Sequence, residues 1–225
     1  MGFGEVYHAS LSTDTVLAAV RNAHLRPRLA GARLVALRVP LLVGIGQGSV
    51  AVVELRRFVE LVCWSVYFTD HPVEWRSFET DSAAGFSQDV RKPISYAAHR
   101  ELSYYVEYAR ELMSREASGL GIRAVEGIKQ ASHELNAAVH AGHAVHTTTG
   151  TPPHEDVSDA ALRRFSRVQR QVFSNCCLLL AAYRRPQFER LNAAARAHFD
   201  WLVGSTLRKK VRQGGFGLPP IPSYL

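Results

Sequence analysis

The chain predicts an all-α fold: a bundle of about five long helices with an N-terminal helical extension. Three observations carry this. Apolar residues recur at three- and four-residue spacing over several long stretches, as one buried helix face requires. The later stretches are joined by short links, which makes their helices antiparallel neighbours. No internal repeat of the solenoid kind is present.

Taken in order, Ser12-Thr13-Asp14 offers N-cap residues before Val16, Leu17 and Val20 and marks the expected start of a first helix. Leu34 to Ile45 reads either as a buried helix kinked at Pro40 or as a short strand pair. Gly44, Gly46 and Gly48 then break the chain. Ser49 to Phe68 is a strong helix with Leu55, Val59, Val62 and Val66 on one stripe, ended by Asp70-His71-Pro72. Val73 to Pro93 reads as an irregular connection with one short helix near Glu74.

Ser95 to Arg115 predicts a second long helix on Leu102, Tyr105, Ala109 and Leu112, broken by Gly119 and Gly121. A third spans Arg123 to Ala144. After a loop over Thr147–Val157, a fourth runs from Ser158 to Tyr183 on Leu162, Phe165, Val168, Val172, Cys176 and Leu179. Pro186 suits the first turn of a fifth, which extends to Arg212. The expected organisation is an extension or docking element over residues 1–48, the bundle over 49–213, and a Gly/Pro-rich arm over 214–225. Whether the first segment joins the bundle or docks separately is left open by the pattern.

Bulk composition narrows the function. The 225 residues are 47% hydrophobic and 21% charged, ordinary for one large globular domain. No apolar run approaches the roughly 18 residues that a membrane span needs, so no membrane partner is expected. Met1-Gly2-Phe3-Gly4-Glu5 lacks a basic region followed by an apolar one, and Val6 spoils a myristoylation start. Three cysteines (Cys63, Cys176, Cys177) sit in apolar helical patterns, which argues for core positions and a cytoplasmic location. The net charge of +7 suits nucleic acid or an acidic partner. Its densest groups are Arg163, Arg164, Arg167 and Arg170, then Arg184-Arg185, then Arg208, Lys209, Lys210 and Arg212.

Chemistry-bearing motifs are sparse. His133, His140 and His143 fall on one stripe of the third helix, where imidazoles can move protons, hold a metal or meet phosphate. His140-x-x-His143-x-x-His146 lacks the cysteine or carboxylate that zinc sites add, so no metal and no cofactor are expected. Gly44-Ile45-Gly46-Gln47-Gly48 has no following Lys-Ser or Lys-Thr for a phosphate loop. No nucleophile elbow occurs. Tyr104 and Tyr108, one turn apart, could stack on a base but are expected to pack.

Two segments carry a resemblance. Leu55-Arg56-Arg57-Phe58-Val59-Glu60-Leu61 and Glu134-Leu135-Asn136-Ala137-Ala138-Val139-His140-Ala141-Gly142 resemble helices of HEPN-type domains of bacterial defence and toxin–antitoxin systems. The family's ribonuclease motif is an arginine, four to six residues, then a histidine. Here His140 matches the histidine, but no arginine precedes it at that spacing; His133 stands where one would fall. The resemblance therefore implies a non-catalytic interaction module, a homodimer or a subunit of a larger assembly; the basic charge adds an expected RNA contact through Arg56, Arg57, Arg163, Arg164, Arg167, Arg208, Lys209 and Lys210. The alternative is a metal-independent ribonuclease in which His140, with His133 or His143, moves the protons and Arg56 or Arg57 meets the phosphate.

Overall fold

The computed structural model describes residues 2–76, 102–116, 118–149 and 159–212, with side chains described in 3–76, 102–116, 118–136 and 159–204. Among the described residues the helices are, in order, α1 (Gly2–Ala18), α2 (Leu25–Gly44), α3 (Gly48–Asp70), α4 (Leu102–Arg115), α5 (Gly119–Thr149), α6 (Asp159–Tyr183), the short α7 (Arg185–Glu189) and α8 (Ala193–Arg212). One further helical turn follows α3 at 72–76. No strand occurs among the described residues. The all-α expectation holds, and the strand-pair alternative for Leu34–Ile45 does not.

Burial explains the assembly. α3 packs against α2, α4, α5 and α6. Its stripe of Leu55, Phe58, Val59, Val62 and Val66 is fully buried. α6 contributes Val172, Phe173, Cys176 and Leu179, each also fully buried, to the same core. α1 packs on α2, α6 and α8, and its Val6, Val16 and Leu17 lie in that core too. α1 and α2 thus contribute to one buried cluster with α3 and α6.

Three features differ from the expectation: the start of the first helix, the place of Gly121 and the course of the fifth helix. Ser12, Thr13 and Asp14 lie inside α1 rather than before it. The Thr13 hydroxyl donates to the Ala9 carbonyl at 2.8 Å and so bonds back into its own helix instead of capping a new one. Asp14 pairs with Arg33 of α2 at 2.7 Å. Pro40 stands within α2, buried, and the helix continues through it. Gly121 lies within α5, not at a break. The helix starts just before it, where the Ser118 hydroxyl accepts from the Gly121 N–H at 3.1 Å. The space a side chain at Gly121 would take is filled by Met113 of α4, so the glycine serves close helix packing.

The expected fifth helix is divided. Asn192 caps α8 by accepting from the Ala195 N–H at 2.8 Å. Arg196 donates to the Phe188 and Glu189 carbonyls at 2.9 and 2.6 Å, which satisfies the end of α7. Gly204, at φ 76°, then kinks α8. The loop at 150–157, the connection at 77–93, residues 95–101 of the expected second helix and the arm at 214–225 lie outside the described residues.

Candidate functional site

The strongest concentration of predicted binding residues forms on α6. Arg163, Arg167 and Arg170 are spaced by four and three residues, so they share one helix face. With Glu5 of α1, Ser166 and Trp201 of α8 they line an open cleft of about 240 Å³. Arg164, one residue from Arg163, is exposed but turns away from that lining.

One wall of the cleft is built around Trp201, and two of its cations are exposed. Arg170 donates to the Trp201 carbonyl at 2.8 Å, and its guanidinium lies 4.4 Å over the indole ring. His8 meets the same indole edge-on at 4.1 Å, and His198 is held by the Ser12 hydroxyl at 2.9 Å. Trp201 is therefore held by two neighbours, Arg170 over its ring and His8 beside it. The Ser166 hydroxyl donates to Glu5 at 3.1 Å. Among the described residues no carboxylate makes an ion pair with the exposed Arg163 or Arg167. This arrangement can hold a phosphate between two exposed guanidinium groups, with Arg170 placed behind them.

The remaining predicted residues are dispersed. Arg56 faces Glu60 at 3.3 Å on its own helix, whereas Arg57 is exposed about 100° further round. His133 is exposed on α5. The backbone of α5 carries His140 and His143, and that of α8 carries Arg208, Lys209 and Lys210, but these side chains lie outside the described ones. The three cysteines are buried and free, and burial pushes the Cys63 and Cys177 thiols up to about 12, so neither is a ready nucleophile.

A second polar cluster was not foreseen. Asp70, at the end of α3, accepts from the Tyr183 hydroxyl of α6 at 2.6 Å and from the Tyr108 hydroxyl of α4 at 2.8 Å. Arg184 stands 3.7 Å from the same carboxylate and donates to the Tyr183 oxygen at 2.8 Å. One carboxylate thus ties three helices together. Beside it His71 stacks on Tyr67 at 4.1 Å, and its Nδ1 lies 2.9 Å from the Tyr67 carbonyl. Tyr108, read as a packing residue, packs with its hydroxyl satisfied here; Tyr104 is partly exposed beside it. In the sequence Asp70 reads only as a helix end, because its partners lie 38 and 113 residues away.

The cluster makes a pH prediction. Burial first, and the hydrogen bond to Asp70 second, push the Tyr108 and Tyr183 phenols above their ordinary value of 10.0. Burial and the bond to Glu74 do the same for Tyr67. Each phenol holds its proton more tightly folded than unfolded. That contribution to stability is complete below pH 10 and is lost as pH rises above it. In an alkaline titration followed by tyrosinate absorbance, these three of the eight tyrosines are expected to ionise only as the chain unfolds. Ionisation of all eight near the ordinary value in the folded chain would contradict this.

No family model, no curated protein and no solved structure matches this chain.

Proposed function

We propose that the chain is a non-catalytic, HEPN-like helical interaction module that contacts RNA through the α6 cleft. The observation that carries the reading is the cleft itself. Exposed Arg163 and Arg167 share a helix face with an Arg170 already immobilised against Trp201, so a phosphate would meet a partly organised set of cations. The all-helical architecture agrees with the two segments that resemble HEPN helices. Three free buried thiols suit a reducing cytoplasm. Under this reading the module acts as a homodimer or as a subunit of a defence or toxin–antitoxin assembly.

The test is a binding isotherm for single-stranded RNA at several salt concentrations. Arg163→Ala with Arg167→Ala is expected to weaken binding and to lower the slope of log affinity against log salt by about 1 per arginine removed. An unchanged slope would remove the cleft from the reading.

One observation favours the ribonuclease alternative. α5 is helical without a break from Gly119 to Thr149, so positions 133 and 140 lie two turns apart on one side. Cleavage of RNA in the presence of a chelator, lost in His140→Ala, would establish that activity in place of the non-catalytic module.

A further inference from the structure

The end of the bundle formed by the α2–α3 hairpin has an unusual composition. From Val39 to Val53 fifteen consecutive residues carry no charge. These residues finish α2, turn through Gly46 at φ 75°, and begin α3. Core packing explains only part of this run, because Val39, Val43 and Ala51 point inward while Leu41, Ile45, Val50 and Val53 point out. Leu41 and Ile45 are 69% and 71% exposed, which is the opposite of what burial favours.

Phe3 of α1, 46% exposed, adds to this exposed apolar surface. The Phe3 ring of α1 lies against Gly44, where an added methyl would meet it at 3.3 Å. On the other side Leu61 of α3 lies against Gly31 of α2. Of the eleven large apolar side chains exposed among the described residues, Leu41, Ile45, Val50 and Val53 belong to the hairpin ahead of Arg38 and Arg57, and Phe3 lies beside its Gly44 end. A grouping of that kind at one end of a hairpin marks a contact surface, unlike single scattered exposures.

The charges around the tip identify what it contacts. Arg38 on α2 and Arg57 on α3 are exposed, and among the described residues neither makes an ion pair. The nearest acid on the hairpin is Glu54, and its Oε2 is buried. Arg38 precedes Ile45 by seven residues, and Arg57 follows Val50 by seven. At the rise of an α-helix both arginines therefore stand about 10 Å behind the tip. An apolar end of that depth, backed by cations at a common level, matches a bilayer interface, where apolar groups sink about 5–10 Å and arginines remain among the headgroups.

We propose that the α2–α3 hairpin tip, with Phe3 beside it, docks the chain peripherally on an anionic lipid bilayer. Such docking is a surface contact and needs no spanning helix. It is independent of the RNA reading, which rests on α6.

The experiment is co-sedimentation of the full chain with vesicles of phosphatidylcholine alone and of equimolar phosphatidylcholine and phosphatidylserine. The chain is expected to bind the anionic vesicles and not the neutral ones. Arg38→Ala with Arg57→Ala should weaken that binding roughly 25-fold. Leu41→Glu with Ile45→Glu should abolish it while circular dichroism and RNA affinity stay at wild-type values, which separates loss of docking from loss of fold. Failure of the wild type to bind anionic vesicles, or undiminished binding by the Leu41→Glu, Ile45→Glu variant, would overturn the proposal. A wild-type dimer that this variant converts to monomer, with no vesicle binding by the wild type, would assign the face to a second copy instead.

Discussion

Phe58→Ala is expected to cost about 3–5 kcal/mol of folding stability, the usual range for an aromatic removed from a core. Phe58 is fully buried, and its ring meets that of Phe173 edge-on at a centroid distance of 4.7 Å. The substitution removes apolar surface and an aromatic pair, and it leaves a cavity between α3 and α6 that rigid neighbours close only in part. A urea titration followed by circular dichroism would read this as a large drop in midpoint. Leu41→Ala is the control. At 69% exposure it should shift stability by no more than about 0.5 kcal/mol. Equal losses at the two positions would mean that the core is misassigned.

The second large effect is expected at Asp70. Asp70→Ala removes the acceptor shared by Tyr108 and Tyr183 and the anion opposite Arg184. Hydrogen bonds to a charged group contribute about 1.5–3 kcal/mol each when buried. Here the Asp70 side chain is 28% exposed, so water replaces part of the loss, and about 2 kcal/mol is expected in total. Tyr183→Phe, which deletes one donor, should cost less. The double variant should cost less than the sum, because both changes remove the same bond. Strict additivity would show that the hydroxyl and the carboxylate do not interact in solution.

These two sites also show how far the sequence could be read. Phe58 was legible. It lies beside a stripe repeating at three and four residues, and that period alone directs Leu55, Val59, Val62 and Val66 inward. Asp70 was not legible, since nothing local distinguishes a carboxylate that ends a helix from one that joins three. The α6 cleft lay between these cases. The grouping of Arg163, Arg167 and Arg170 was visible as charge density, but Glu5 and Trp201 come from helices at opposite ends of the chain.

Errors in the boundaries have the same origin. Thr13 carries the right residue type for a cap, yet α1 extends through it because α2, α6 and α8 bury the turns on either side. Gln169 of α6 strengthens that docking, since its amide donates to the Val6 carbonyl at 3.1 Å and to the Ser10 hydroxyl at 2.8 Å. Gly121 looked like a break because glycine weakens an isolated helix, but contact with Met113 makes its missing side chain useful.

By itself, then, the sequence determined the all-α class, the courses of α3 and α6, the buried cysteines and the positive charge. Each of these follows from composition or from a period within a single helix. The tertiary structure decided the reach of α1, the division between α7 and α8, the Asp70 junction, the cleft on α6 and the outward turn of Leu41 and Ile45. Those depend on which surfaces meet, and residues such as Asp70 and Tyr183 become neighbours only when helices far apart in the chain bury their apolar faces together.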